Sequence, residues 1–416
     1  MSFLRAISRF VFGVVFIVSG FLKVLDPIGF ALKIKEYLNA FNLSFLDFSS
    51  IPAAIAISCT EFIIGVAILK GLKMNFFSKI ALIFISFFTL LTLYSALFNP
   101  VEDCGCFGEA FTLSNWNTFF KNIVLFSLAI LLYFQRYKFE PIASKFWETL
   151  YTFAYLLFAL GLCAYSLFFL PPIDFGSFKA GTDLIENSRE NVLKEYTSTL
   201  IYTKNGENKE FTLDNLPDTT WTFVEAKNIL TSQDDLKIKP IDFILRNSND
   251  EFVSEDIINE ENLVFFISFY NVQSVNTKKI IDLYSKIEGN KAKLYILSGN
   301  SIEETNKAFG NNFILSWSSK IPILYSDYKT VLSFNRSNGG LSYISKGIIV
   351  GKWSDINYPN KVRKIVQEDP EILTANIIIR EQLFIEICIT LIFFMIFIVR
   401  IISKKIYLNS FLRKGN

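Results

Sequence analysis

Six long apolar stretches constrain this chain more than any other feature of its sequence. A segment of about 20 mostly apolar residues crosses a bilayer as a helix, because a helix satisfies its own backbone hydrogen bonds there. The composition agrees, since 51% of the residues are hydrophobic and the mean hydropathy is +0.36. The predicted spans are Ile7–Leu25, Ile51–Leu69, Phe77–Phe98, Phe119–Phe134, Leu150–Leu170 and Leu383–Ile402.

Basic residues assign a side to each loop, because Lys and Arg concentrate on the cytoplasmic side of membrane proteins. With six spans, all four basic clusters fall on one side, and Lys33 and Lys35, in the first outer loop, are exceptions. Both termini are therefore predicted to be cytoplasmic, with residues 174–380 and the loop around Cys104 outside. The clusters contain Arg5, Arg9, Lys70, Lys73, Lys79, Arg136, Lys138, Lys145, Arg400, Lys404, Lys405 and Arg413.

The outer segment has the pattern of an α/β domain between about residues 237 and 370. Its predicted order is strand, helix, strand, helix, hairpin and helix, which is typical of a thioredoxin-like fold. The predicted elements are strands 263–269 and 292–297, helices 276–286 and 302–309, a short strand 322–325, a hairpin of 341–344 and 347–350, and a helix 358–367, preceded by a strand and turn at 211–224.

The predicted architecture is therefore an α-helical membrane bundle joined to an α/β outer domain. Spans one to four are expected to form an antiparallel four-helix bundle, and spans five and six to tether the outer domain at both ends. The predicted boundaries are 1–140 for the four-helix domain, 141–173 for the fifth helix, 174–380 for the outer region, and 381–416 for the sixth helix and tail.

Charge and composition remove several classes of function. The net charge is only +2, which gives no support for a nucleic-acid partner. The chain contains no histidine, which excludes Ser-His-Asp and Cys-His catalysis and histidine-ligated metals. No cofactor motif is evident.

The five cysteines divide into two groups. Cys59, Cys163 and Cys388 lie in apolar stretches and are expected to behave as small buried hydrophobes. Cys104 and Cys106 share a short polar loop, where Gly105 permits the backbone that a small disulfide ring demands.

Three interpretations of the Cys104–Cys106 pair stay open. Such a pair exchanges readily when its disulfide is strained and exposed. Lys121 would lower a thiol pKa, whereas Glu102, Asp103 and Glu109 would raise it. A static disulfide that braces the loop is the second interpretation. The third is a soft metal ion held with Asp103 or Glu109, although no second cysteine pair completes that site, and no metal is expected.

Two ionisable residues are predicted near this loop. Glu61 lies near the middle of span two, where a charged group is costly without a partner. It is either a proton or quinone site beneath the cysteines, or part of an ion pair or hydrogen bond that holds the bundle together. Lys23, near the outer end of span one, either reaches partway toward Glu61 or extends its ammonium to the membrane surface.

Residues 5–135 resemble the MauE/DoxX-type family of bacterial membrane proteins. Four features carry the resemblance: Ser19–Pro27 (SGFLKVLDP), Glu61, Asp103–Gly108 (DCGCFG), and Trp116 with Phe119–Asn122. The Ser-Gly-x-x-Lys and Cys-Gly-Cys-Phe-Gly motifs together are fairly specific. The resemblance implies a bacterial inner-membrane location and a role in thiol–disulfide maturation of exported proteins, as MauE has for a subunit of methylamine dehydrogenase.

The outer domain resembles a thioredoxin-like domain of the thiol-reductase type but lacks its cysteines. The loop after the first strand reads Tyr270–Asn276 (YNVQSVN), without Cys-x-x-Cys. The leading hypothesis is a membrane thiol–disulfide oxidoreductase or maturation factor acting through Cys104 and Cys106, with an exported client. Either a separate redox protein or a quinone would accept its electrons. The alternative is a non-catalytic membrane scaffold whose outer domain recruits a partner.

Overall fold

The fold is seen in a computed structural model of the full chain. The structure describes residues 2–101, 103–139, 141, 144–184, 196–204, 207–212, 221–230, 243–260, 263–288, 292–358, 361–388, 390–391 and 394.

Five helices of the described chain are long and apolar enough to cross a membrane. Each corresponds to one of the first five predicted spans, and the fifth helix ends at Phe169, one residue before the predicted end at Leu170. Most of the sixth predicted span, Leu383–Ile402, lies outside the described residues, and a helix at 370–388 (α13) leads into it. The five helices are α1 (Ser2–Leu25), α3 (Ser50–Lys70), α4 (Met74–Phe98), α5 (Asn115–Phe134) and α6 (Lys145–Phe169).

Helices α1 and α3 pack almost backbone to backbone, because glycines face the partner helix. A Cβ added at Gly20 would lie 2.5 Å from the backbone nitrogen of Phe62, and one at Gly65 would lie 2.6 Å from that of Ile17. Gly13 makes the same close approach to Leu69. Small residues allow this approach in membrane helices, where van der Waals packing drives association. As the residue number increases along α1, the residue number of the contacted position on α3 decreases, so the two helices are antiparallel.

Helix α6 belongs to the bundle rather than only tethering the outer domain. Tyr155, Ala159 and Cys163 of α6 lie in the same buried core as Phe62 of α3 and Phe16 of α1. The expectation that spans one to four form the core is therefore too narrow, because the fifth span also packs against α3.

One helix at the Cys104 end of the bundle is absent from the sequence prediction. Helix α2 (Pro27–Ala40) begins at Asp26, whose carboxylate accepts a hydrogen bond from the Gly29 amide, with proline at the first helical position. Its 14 residues are too short to span a bilayer, and a 3₁₀ turn (Ser44–Ser49) connects it to α3.

Two sheets make up the described part of the outer region. Strands β2 (Tyr196–Lys204), β3 (Glu207–Thr212) and β4 (Thr222–Leu230) form an antiparallel sheet in the order β3-β2-β4. The second sheet has five strands in the order β7-β6-β5-β8-β9. Strands β7, β6 and β5 are parallel to one another, β8 is antiparallel to β5, and β9 is antiparallel to β8. Its strands are β5 (Leu263–Phe269), β6 (Ala292–Ser298), β7 (Ile323–Tyr325), β8 (Gly340–Ser345) and β9 (Ile348–Trp353).

Helices cover the five-stranded sheet and bury both of its faces. Phe265 and Ile267 of β5 pack in one core with the helix Thr277–Ile287 (α8), whereas Val264 and Phe266 pack in a second core on the other face. Every strand and helix predicted between residues 263 and 367 is present within a few residues. The helices are α7 (Ser254–Ile258), α8 (Thr277–Ile287), α9 (Ile302–Phe309), α10 (Asn311–Trp317), α11 (Tyr328–Phe334) and α12 (Val362–Gln367).

Candidate functional site

The Cys104–Cys106 loop is a tight turn that leads into a short strand, β1 (Cys106–Glu109). Gly105 has φ +63°, a conformation that suits glycine, and its amide donates a hydrogen bond to Asp103 Oδ1 at 3.0 Å. The turn directs both thiols to the same place, and their sulfur atoms lie 2.7 Å apart. Both are free cysteines in direct contact, so one thiol shares its proton with the other sulfur.

A buried hydrogen-bonded chain supports the strand from below. Ser19 on α1 donates to the carbonyl oxygen of Cys106 at 2.5 Å. Lys23 Nζ, one turn along the same helix, donates to Ser19 Oγ at 3.0 Å and to Glu61 Oε2 at 2.6 Å. The Lys23 and Glu61 side chains are only 3% and 8% exposed. Lys23 is therefore paired inside the bundle and does not extend to the membrane surface.

The environment separates the proton affinities of the two thiols. The Cys104 thiol donates a hydrogen bond to the Cys106 sulfur, which together with the Lys121 and Lys23 ammonium groups outweighs burial and lowers the pKa of Cys106 to about 6. The same contact and burial raise the pKa of Cys104 well above its usual value. Cys106 is therefore the member of the pair that carries a thiolate at neutral pH.

A small cavity lies beneath Cys106 and is lined by the charged groups of the site. Its volume is about 20 Å³, and a polar cavity of that size holds about one water molecule. Ser19, Lys23, Glu61, Lys121 and Asn122 supply the polar part of its lining. The cavity therefore lies between Cys106 and the buried ion pair.

Helix α2 holds the cysteine loop from the side. Lys33 Nζ contacts Asp103 Oδ2 at 3.1 Å and Glu36 Oε2 at 3.0 Å. The Lys33 side chain also lies against Gly105, where an added Cβ would meet its Cγ at 2.7 Å. Burial lowers the pKa of Lys33, but the carboxylates of Asp103 and Glu36 outweigh it and raise that pKa. Lys33, which is an exception to the pattern of basic clusters, thus connects α2 to the cysteine loop.

The outer domain contacts this site through a buried arginine. Arg336, which lies between α11 and β8, is 5% exposed. Its Nη2 atom contacts Asp26 Oδ2 at 3.0 Å and Glu109 Oε1 at 2.5 Å. Glu109 ends the strand that begins with Cys106, so Arg336 ties the outer domain to the cysteine strand and to the junction of α1 and α2.

An apolar contact surrounds the arginine. Ile28 and Leu32 of α2 pack on Leu332 of the outer domain, with Tyr270 and Tyr328 at the edge. Tyr270 opens the loop in which a thiol reductase would carry Cys-x-x-Cys. The loop that follows β5 therefore lies against α2.

Two family models match parts of the chain. Residues 1–135 match the family Methylamine utilisation protein MauE. The MauE match contains every residue of the cysteine loop and its buried support, from Ser19 to Lys121. Residues 196–233, which include β2–β4, match a Domain of unknown function (DUF8463). No curated protein and no solved structure matches the chain.

The structure brings together all five residues singled out from the sequence of the MauE-matching region. Cys104 and Cys106 touch, Lys23 pairs with Glu61 below them, and Lys121 lines the same cavity. Among the described residues, no group of three or more cysteines and carboxylates is arranged to hold a metal ion. Sequence reasoning missed Lys33, Arg336 and Asp26, whose roles depend on the docking of elements far apart in the chain.

Proposed function

We propose that this protein is a membrane component of thiol–disulfide exchange, with Cys104 and Cys106 as the exchanging pair. The observation that carries the proposal is the direct contact of the two sulfurs above a buried, charged and hydrogen-bonded support. A pair with a low-pKa leaving thiolate exchanges fast, because the rate of cleavage rises as the leaving-group pKa falls.

The reaction that fits this geometry transfers two electrons from a client dithiol. A client thiolate attacks Cys104 Sγ of the oxidised pair, the bond between the two sulfurs breaks, and Cys106 leaves as a thiolate. The second client thiolate then attacks the client sulfur of the mixed disulfide and releases Cys104, which takes up a proton. The client gains a disulfide, and the pair becomes a dithiol that a separate redox protein or a quinone reoxidises.

Each supporting residue has a defined part in this proposal. Lys121 and Lys23 stabilise the departing thiolate electrostatically, as cations near a thiol do. Ser19 holds the carbonyl oxygen of Cys106 and fixes the strand. Glu61 keeps Lys23 in place and balances its charge inside the bundle.

We further infer the arrangement of the protein in a bacterial inner membrane. The charge pattern favours cytoplasmic termini and a periplasmic position for the cysteine loop and the outer domain, where disulfides persist. The mixed five-stranded sheet supports a thioredoxin-like outer domain. Because that domain lacks the cysteine pair of a reductase, its part in the proposal is to hold geometry or bind an exported client.

The decisive experiment measures the redox state of the pair in native membranes. Mass-tag alkylation is carried out before and after titration with a dithiothreitol couple, and the Cys59→Ser, Cys163→Ser and Cys388→Ser background isolates the signal of Cys104 and Cys106. A mixed redox state, or a midpoint in mild dithiothreitol, is the expected result. A pair that stays oxidised until strongly reducing conditions would overturn the proposal and leave a permanent staple.

One observation favours a second candidate function, a membrane scaffold. Arg336 and the apolar contact around it fix the outer domain on the membrane domain, as a platform for a partner would require. The same titration separates the two candidates, since a scaffold needs only a static disulfide.

A further inference from the structure

Two cysteines expected to be isolated hydrophobes meet inside the bundle. Cys59 lies on α3 and Cys163 on α6, and they are 4% and 1% exposed. Both belong to one buried core, where α3 packs against α6, and their side chains interact across that interface. Nothing in the sequence pattern links them, because they belong to spans two and five.

The contact places a second dithiol on the helix that already supports the first. Successive residues of a helix are rotated by about 100°, so Cys59 and Glu61 lie on nearly opposite faces of α3. Glu61 faces Lys23 on α1, whereas Cys59 faces α6. The membrane domain thus holds one thiol pair at its Cys104 end and another within the apolar bundle.

A cavity between α3, α4 and α6 reaches Cys59. Its volume is about 360 Å³, within the range of about 300–1,000 Å³ that is typical of small-molecule sites. Most of its lining is aromatic or aliphatic, which suits a hydrophobic occupant drawn from the bilayer. The lining residues are Cys59, Thr60, Ile63, Ile64, Lys73, Phe76, Phe77, Ile80, Thr149, Thr152, Phe153 and Leu156.

Two polar groups of the cavity keep hydrogen-bond donors available. The Thr60 hydroxyl and the Lys73 ammonium have no side-chain partner within the part of the chain that the structure describes. The hydroxyls of Thr149 and Thr152, by contrast, donate to the backbone of their own helix at 2.7 and 2.8 Å. An occupant with carbonyl oxygens would satisfy the two free donors, which a hydrocarbon chain would not.

We propose that this cavity binds a hydrophobic two-electron carrier of the quinone class, which oxidises Cys59 and Cys163. Two S–H bonds break and one S–S bond forms between α3 and α6. The two electrons and two protons pass to the two quinone oxygens and give the quinol. The proposal goes beyond the exchange chemistry of Cys104 and Cys106, and its test needs neither of those residues.

The test uses full-length protein in liposomes with Cys104→Ser, Cys106→Ser and Cys388→Ser, and with a protease site inserted after Phe139. Cleavage there separates Cys59 from Cys163, so only a disulfide between them keeps the fragments together on a non-reducing gel. Addition of decylubiquinone is expected to link the fragments and to form one decylubiquinol for each disulfide. Further substitution of Cys163→Ser is the matched control and is expected to release the fragments.

A variant that fills the cavity locates the quinone site. Thr152→Trp is expected to slow linking by decylubiquinone at least tenfold and to leave linking by diamide, a small thiol oxidant, unchanged. Diamide linking also reports that the variant is folded with the two thiols together. If diamide links the fragments of the parent protein but decylubiquinone does not, the cavity accommodates lipid and the proposal is wrong. Equal decylubiquinone rates in the parent and Thr152→Trp proteins would also overturn it.

Discussion

Removal of one partner of the Lys23–Glu61 pair should cost far more stability than removal of both. The two charges lie 2.6 Å apart and are almost fully buried. At that distance and an effective dielectric constant of about 20, Coulomb's law gives an attraction of about 6 kcal/mol, part of which offsets desolvation. Lys23→Met leaves the Glu61 carboxylate unpaired in the bundle, which we expect to cost about 3–5 kcal/mol.

The double substitution of Lys23→Met with Glu61→Gln removes both charges and should recover most of that loss. A double-mutant cycle from equilibrium unfolding in mixed micelles is expected to show a coupling energy above about 2 kcal/mol. Lys329→Met is the matched control, since its bridge to Glu36 is more than half exposed at Lys329 and is worth less than about 1 kcal/mol. A single-substitution loss no larger than that of the control would refute the reasoning.

The same double variant separates structure from chemistry. If the pair only holds the bundle, the variant with restored stability should keep the wild-type midpoint of Cys104 and Cys106. Glu61 opposes Lys23 at the Cys106 thiolate, and the effect of Lys23 is the larger of the two. If Lys23 stabilises the thiolate by more than Glu61 destabilises it, the midpoint should move toward more reducing dithiothreitol ratios, because the reduced form loses its net stabilisation. The proposed function requires the second result.

Three further outcomes follow from the site. Because the pKa of Cys106 is about 6, its fraction of thiolate rises from low to high as pH increases through 6, and the alkylation rate of the reduced protein should rise with it; Lys121→Met should move this rise to higher pH. Arg336→Met should loosen the outer domain and increase the alkylation rate of Cys106, with Arg336→Lys intermediate, whereas unchanged protection would contradict the proposed tie. Gly105→Ala should slow closure of the disulfide and lower the free energy of unfolding by about 1–2 kcal/mol, because Gly105 has φ +63° and the new Cβ meets Lys33. Mass-tag kinetics would measure the closure, and circular dichroism would show that the variant is folded.

Hydropathy alone predicted the elements whose signal is local. Spans such as 51–69 follow from length and composition, and β5 follows from an unbroken apolar run. Helix α2 was missed because its 14 residues fall below the length of a span. Its apolar residues are divided between a contact with Leu332 and a contact with Ala54 of α3, and neither contact can be seen in the sequence. The local signals for α2 were the Asp26-Pro27 pair, a typical helix start, and Lys33 and Lys35, which were exceptions to the charge pattern.

The candidate site was predictable in part for the same reason. Lys23 and Glu61 stand out because a charged group within an apolar span costs free energy unless it has a partner. The Cys-Gly-Cys motif stands out because its two cysteines share a short polar loop. Arg336 and the Cys59–Cys163 contact depend on which helices and domains meet, and one sequence without its relatives carries no record of that. The residues of the loop and of its buried support were therefore predictable from the sequence, whereas the groups that reach them from other elements were not.

The Arg336 tie has a consequence for how a client would reach the cysteines. Many thiol carriers work as swinging arms, in which a mobile domain visits one partner after another. Here the outer domain follows directly from α6, continues into α13, and is fixed between them by Arg336 on Asp26 and Glu109. These three connections restrict movement of the outer domain relative to the helical bundle. In the proposed function, a client therefore has to come to a stationary site at the cysteine loop.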